Sequence, residues 1–283
     1  MSEFFSSAAL SAGYIFIGMV LCYAGRKVRG LLPRWRGGEA GMVAGKSEAM
    51  AIDYGAYYLA VLLSLGGAVS WASKDPARGL TEALGFGMLA VLLLNASVLL
   101  AERTYLARWK LAERIKAGDA GAALAEGAHY LALGLLILGA SWGDSGGPEV
   151  MVCFWLLGQL FLCAALRAYL KIFRIDMPAQ LEKNNFPAAL SMAGSVIGFG
   201  NIVRASIAGP FLGWSRSLLE AAAFFIFGFV TLLAARWLAD LWLFPDATFN
   251  KEIFGSGTPN KPAAILDATL FIGISVLLGW AIG

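Results

Sequence analysis

The stretch Leu181-Glu-Lys-Asn-Asn-Phe-Pro-Ala-Ala-Leu-Ser-Met-Ala-Gly-Ser-Val-Ile-Gly-Phe-Gly-Asn-Ile-Val-Arg-Ala-Ser-Ile-Ala-Gly209 decides the fold. A charged, Asn-rich lead-in passes through a proline into an apolar segment rich in small residues. Asn185 is an N-cap type, able to accept from the free amides of a first helical turn. Pro187 suits that turn, where its missing N–H costs nothing. The segment that follows is long enough to cross a bilayer as a helix, which takes about 20 mainly apolar residues.

Three other places echo it. Aligned on their caps, the four copies read Ser47-Glu-Ala-Met-Ala-Ile-Asp-Tyr-Gly, Asp119-Ala-Gly-Ala-Ala-Leu-Ala-Glu-Gly, Asn185-Phe-Pro-Ala-Ala-Leu-Ser-Met-Ala and Asn260-Lys-Pro-Ala-Ala-Ile-Leu-Asp-Ala. Each carries small residues four apart: Ala51/Gly55, Ala123/Gly127, Ala189/Ala193 and Ala264/Ala268. In lipid, where no hydrophobic force drives helices together, small-xxx-small lets backbones approach closely. Ala51 lies 138 residues before Ala189, and Ala123 lies 141 before Ala264. The chain therefore reads as a duplication, with units at 1–145 and 146–283.

The rest of the chain agrees with a membrane setting. Of 283 residues 59% are hydrophobic and only 14% charged, with a mean hydropathy of +0.69. Soluble domains carry about 25% charged residues, so this chain cannot solvate a globule of its size. Eight apolar runs are predicted to span, at 10–24, 49–69, 80–100, 121–140, 150–172, 187–208, 218–239 and 262–281. None alternates as a barrel strand does. The fold class is an all-α polytopic membrane protein of four parallel helix-hairpin repeats. The N-terminus lacks a basic region and a convincing cleavage site, so the first run is expected to be a retained helix rather than a signal peptide. Cys22, Cys153 and Cys163 fall inside apolar runs and read as small buried hydrophobes.

Lys and Arg fall on alternate connections. Eighteen lie in the long ones and three in the short ones, with Arg204 inside a span. By the positive-inside rule the long connections are cytoplasmic and both termini external. The basic residues thus serve topology and anionic lipid rather than nucleic acid.

The segment Lys183-Asn-Asn-Phe-Pro-Ala-Ala-Leu with Gly194 and Gly198, and the later Asn260-Lys-Pro-Ala-Ala-Ile, resembles the YjfL-like inner-membrane family, domain of unknown function 350. A family unit is four helices with an internal helix-pair repeat, and this chain looks like two units. The first half departs from the pattern, with Ser47 and Asp119 in place of Asn and acids at Asp53 and Glu126. The resemblance implies a bacterial inner-membrane location and an association with envelope-stress or polyamine-related systems.

Asp53, Glu126 and Asp267 fall in the same turn of three repeats, with Ser191 in the other. Six or seven residues past a cap is roughly 10 Å along a helix. A carboxylate at that depth costs about 2.5–3.5 kcal/mol on insertion scales and should face the bundle, water or a cation. A ring of such oxygens about a central axis could bind cations or protons; the alternative is interfacial capping or an interhelix hydrogen bond. His129, the single histidine, forms Glu-x-x-His with Glu126 on one helical face. A metal would need more ligands than this pair supplies, which leaves proton coupling as its functional reading. Gly194, Gly198 and Asn201 share a face and read as helix-packing or pore-lining positions. Arg204, close to the external interface, either snorkels or pairs with Glu220.

Templates for a nucleophile elbow, a phosphate loop, a paired metal motif or a Rossmann fingerprint all fail, so no cofactor and no enzymatic activity are expected. A small-cation or proton channel or transporter is the leading expectation. The alternative is a membrane scaffold that docks a cytoplasmic or membrane partner, its soluble contacts made through the long basic connections. Internal duplication also implies that single-unit relatives self-associate, and leaves a homo-oligomer of this chain open.

Overall fold

A computed structural model describes residues 2–32, 35, 47–143, 147–243, 247–255 and 257–282. The eight long helices are α1 (Ser2–Leu31), α2 (Glu48–Trp71), α3 (Pro76–Thr104), α5 (Ala120–Ala140), α6 (Gly147–Ile172), α8 (Phe186–Ile207), α9 (Trp214–Leu243) and α11 (Lys261–Ile282). Between them lie short helices α4 (Leu111–Lys116), α7 (Met177–Glu182) and α10 (Phe249–Phe254), with a 3-10 turn at Ala107–Trp109. All eight long helices are long and apolar enough to cross a membrane. α1 extends beyond the apolar run because its basic lead-out through Arg29 stays helical.

The caps act as the sequence pattern requires. Side-chain oxygens of Ser47, Asp119, Asn185 and Asn260 accept from the amides of Met50, Ala122, Ala188 and Ala263, each three residues on. Each cap thereby satisfies one orphan donor of a helix start.

The four capped helices stand in a row: α2 packs on α5, α5 on α8, and α8 on α11. The other four cover them, α1 on α2 and α3, α3 on α2 and α5, α6 on α5 and α8, α9 on α8 and α11. Exposure follows from this order. In the central helices α5 and α8, 78% of the span is buried, against 22% in α1 and α9. Large apolar side chains such as Phe16, Met19, Phe227, Trp237 and Trp280 point outward, where lipid would solvate them.

Small residues set the row's spacing. A Cβ on Gly134 of α5 would lie 2.7 Å from the Ala60 carbonyl oxygen of α2, and one on Gly200 of α8 would lie 2.6 Å from Ala132 Cα of α5. One on Gly194 would run into the Ala268 backbone of α11. Two sequence expectations change here. Ala51 and Gly55 are exposed, and a Cβ on Gly55 would meet nothing within 4 Å, because α2 is the first in the row and that face is its open edge. The ring about a central axis is replaced by an open row, since α2 and α11 do not pack on each other among the described residues.

Candidate functional site

The buried charges gather in two clusters, one at each end of the row. Asp53, one turn ahead of Tyr57 on α2, is fully buried and pairs with Arg29 in the last turn of α1. Arg29 Nη2 also donates to Tyr130 Oη of α5 at 3.1 Å, and Tyr130 donates to Glu126 Oε1 at 2.6 Å. Asp53 and Glu126, on different helices, are thus linked through one guanidinium and one phenol. Rings of Trp35, Tyr54, Tyr57 and Tyr130 lie 4.0, 4.5, 4.9 and 5.1 Å from the Arg29 guanidinium carbon. Aromatic faces carry negative charge density and stabilise a desolvated cation. Asn95 of α3 ties the box to its helix by donating to Tyr57 Oη at 2.9 Å.

The other end uses different helices for the same chemistry. Arg236 of α9 donates from Nε to Asp267 Oδ1 of α11 at 2.9 Å, both buried. Ser191 of α8 donates to the second Asp267 oxygen. Phe173, Tyr169 and Phe249 surround this guanidinium at 4.3, 5.7 and 5.7 Å. Arg236 Nη1 and Nη2 have no hydrogen-bond partner among the described residues. Asp53 and Asp267 each arrive with a cation already in place, and the two clusters do not share a ring of oxygens.

His129 stands apart from Glu126 despite the i, i+3 spacing. Its Nδ1 is 2.8 Å from the Ala125 carbonyl oxygen, so that nitrogen carries the proton. The ring packs against Tyr105 and Trp109, each at 5.7 Å, while Glu126 turns to Tyr130. The His–Glu couple is not formed, because the 3-10 turn after α3 encloses the imidazole. Burial pushes the phenol of Tyr105, just past the α3 span, well above its usual range. No group of three or more metal-ligating side chains occurs among the described residues.

The packing positions are equally definite. Gly194 and Gly198 face Ala268 and Phe271 of α11. Asn201 donates to the Ser275 carbonyl oxygen at 2.8 Å and accepts from Arg204 Nε at 2.8 Å. Arg204 is thereby tied to its own helix, and Glu220 pairs with Arg216 instead. Trp155 and Gln159 of α6 both donate to Ser97 of α3 at 2.8 Å, joining the two halves.

Sequence reasoning placed Arg29 and Arg236 with the loops, as topology determinants. The signal that could have found them is an arginine at the end of one apolar run facing an acid early in the next. Both clusters show it.

Eight apolar helices with buried, paired charges define an integral membrane protein of repeated hairpins. The family model described as Domain of Unknown Function (DUF350) matches residues 4–141 and again 145–282, so the chain belongs to that family, in two tandem copies. The chain is also similar to a "UPF0719 transmembrane protein" of Aquifex aeolicus (strain VF5), 21% identical over 238 residues, spanning 83% of this chain and 85% of that protein. No solved structure matches.

Proposed function

We propose that the protein transports protons or small cations across a bacterial inner membrane, with the two arginine–carboxylate clusters as its charged working parts. The observation that supports this reading is the pair of buried Arg–Asp ion pairs, Arg29–Asp53 and Arg236–Asp267, at opposite ends of one row. Charges inside a membrane are expensive and mark substrate or proton pathways. Close packing of small residues could hold the row without them. A proton or cation that neutralises the carboxylate releases the arginine, and the freed guanidinium keeps its aromatic box while its helix shifts. This is a carrier with charge-pair locks rather than an open pore lined by a carboxylate ring. Both termini lie in the periplasm in this reading, and the long connections face the cytoplasm.

The test is flux in proteoliposomes, with a pH-sensitive dye and a panel of monovalent cations. Wild-type protein carries one of these ions, and Asp53→Asn and Asp267→Asn each lower the rate at least about tenfold while eluting as the wild type does, the effect expected when a buried charge interaction worth about 1.4 kcal/mol or more is lost. Absence of flux in the wild type, or wild-type rates in both variants, overturns the reading.

A second reading is a scaffold for a cytoplasmic partner, in an envelope-stress or polyamine-linked system. It is favoured by the ordered layer that α4, α7 and α10 form on the long-connection face. Neutralising the basic connections would then abolish partner recovery and leave flux unchanged. Arg34 and Arg36, the first residues to change, lie outside the described residues.

A further inference from the structure

At the short-turn face, where the two halves meet, a cavity of about 270 Å³ opens between α2, α3, α6 and α9. Its walls include Glu82, Phe86, Glu220, Phe224, Trp71 and Phe154. Four of these are matched pairs. Arg78, Glu82 and Phe86 recur 138 positions later as Arg216, Glu220 and Phe224, spaced i, i+4, i+8 on one helical face each time. The duplication thus delivers the same acid and the same ring to one cavity from both halves.

We infer that this cavity binds a small organic ammonium ion, at a site separate from the arginine–carboxylate clusters. Three observations carry it. The first is the sign of the walls, where two carboxylates line the cavity and repel an anion. The second is the aromatic lining. Elsewhere the protein fills its aromatic boxes with its own Arg29 and Arg236. Here the rings of Trp71, Phe86, Phe154 and Phe224 hold no cation of the chain among the described residues, although they stand beside two acids. Trp71 is fixed in place, its Nε1 donating to the Ser141 carbonyl oxygen at 2.9 Å and its ring meeting Phe86 edge-on at 4.8 Å.

The third is how loosely the acids are held. Glu82 accepts from Arg78 Nε and, on its other oxygen, from the Ser73 amide, while Glu220 accepts from Arg216 Nε, all at 2.8 Å. Those arginines are 75% and 69% exposed. Surface pairs of this kind contribute little, so a cation seated in the cavity can replace the arginine at each carboxylate, while the Ser73 amide keeps Glu82 in place. A bare metal ion would demand more oxygen ligands than two, whereas an ammonium head on an apolar body uses acids and rings together. The volume lies below the roughly 300–1,000 Å³ of drug-sized sites, so the ligand is small.

The experiment is calorimetric titration of the full chain in nanodiscs with n-butylammonium chloride, beside butyrate, 1-butanol and potassium chloride. Saturable binding of butylammonium alone is expected. The Glu82→Gln/Glu220→Gln double variant should weaken it about tenfold or more, since it removes both charge-assisted acceptors. Arg78→Gln/Arg216→Gln should tighten it about two- to fivefold by removing the internal competitors. These arginines are exposed, so that variant keeps the test valid if the glutamine pair misfolds. Equal binding of 1-butanol or butyrate, unchanged affinity in the arginine variant, or no saturable heat overturns the inference. No ion gradient is involved, so the result stands independently of the flux measurement.

Discussion

Arg29 is a charged side chain at 2% exposure, and its position explains how α1 is attached. It sits in the last turn of α1, where a cation also meets the negative end of the helix dipole. Removing one partner of a buried pair leaves the other charge stranded, at about 3–5 kcal/mol. Arg29→Met is therefore expected to lower thermal stability in detergent by that amount, followed by tryptophan fluorescence on heating. Arg29→Met/Asp53→Leu should recover most of the loss, because a well-packed apolar pair of similar volume replaces the ion pair. If the double variant is no better than the single, the pair is held by more than its own charge balance. At this scale the sequence was half legible. Asp53, Glu126 and Asp267 could be picked out because acids in apolar runs are rare. Their partners could not, because an arginine near the end of an apolar run looks the same whether it snorkels to the surface or turns inward to a carboxylate.

The helix contacts rest on close backbone approach at a few points. Gly194 of α8 faces the Ala268 backbone, while a Cβ on Gly55 of α2 would meet nothing within 4 Å. Gly194→Ala should cost about 1–3 kcal/mol through overpacking. Gly55→Ala should be neutral or stabilise by up to about 1 kcal/mol through helix propensity. Thermal unfolding of the two variants side by side checks this contrast. The short helices are held by a repeated latch. Arg114, ahead of the second cap, donates to the Leu181 carbonyl at the end of α7 and to Asn184 at 3.2 Å. Asn185 and Gln180, around the third cap, donate to the carbonyls of Ile253 and Phe254 at the end of α10 at 2.9 and 3.0 Å. Arg114→Ala removes a charge-assisted contact worth about 1.5–3 kcal/mol. Amide exchange in α7 should accelerate about tenfold or more while α5 keeps its protection. The caps themselves could be read from four aligned lines of sequence, whereas the latches could not, because they join residues some 67 to 74 positions apart.

Across the whole molecule, the eight spans and the duplication were legible because bilayer thickness and repeated small residues leave a strong periodic trace. The order of the helices was not. A set of similar capped helices can close into a ring or stand in line, and the choice depends on which small face meets which. Here Gly127 of α5 contacts Ala56 of the preceding helix, and Ala268, its counterpart on α11, contacts Gly194 of the helix preceding that one. The halves meet chiefly through α5 and α8. Chains 1–143 and 147–283 expressed together are therefore expected to co-purify from membranes. Gly200→Leu, which drives a side chain into Ala132, should abolish that recovery while leaving each fragment membrane-inserted. Recovery unaffected by Gly200→Leu would mean the halves are joined elsewhere.

The open edge at Ala51 and Gly55 has one more consequence. Each capped helix receives its predecessor on one side and offers its successor the other, so the pattern is translational and contains no instruction to stop. Growth by whole hairpins needs no new surface. A chain with a fifth hairpin would lay its capped helix beside α11 and inherit the contact that α11 already makes with α8. Length in this architecture is a matter of counting hairpins rather than of redesigning a core.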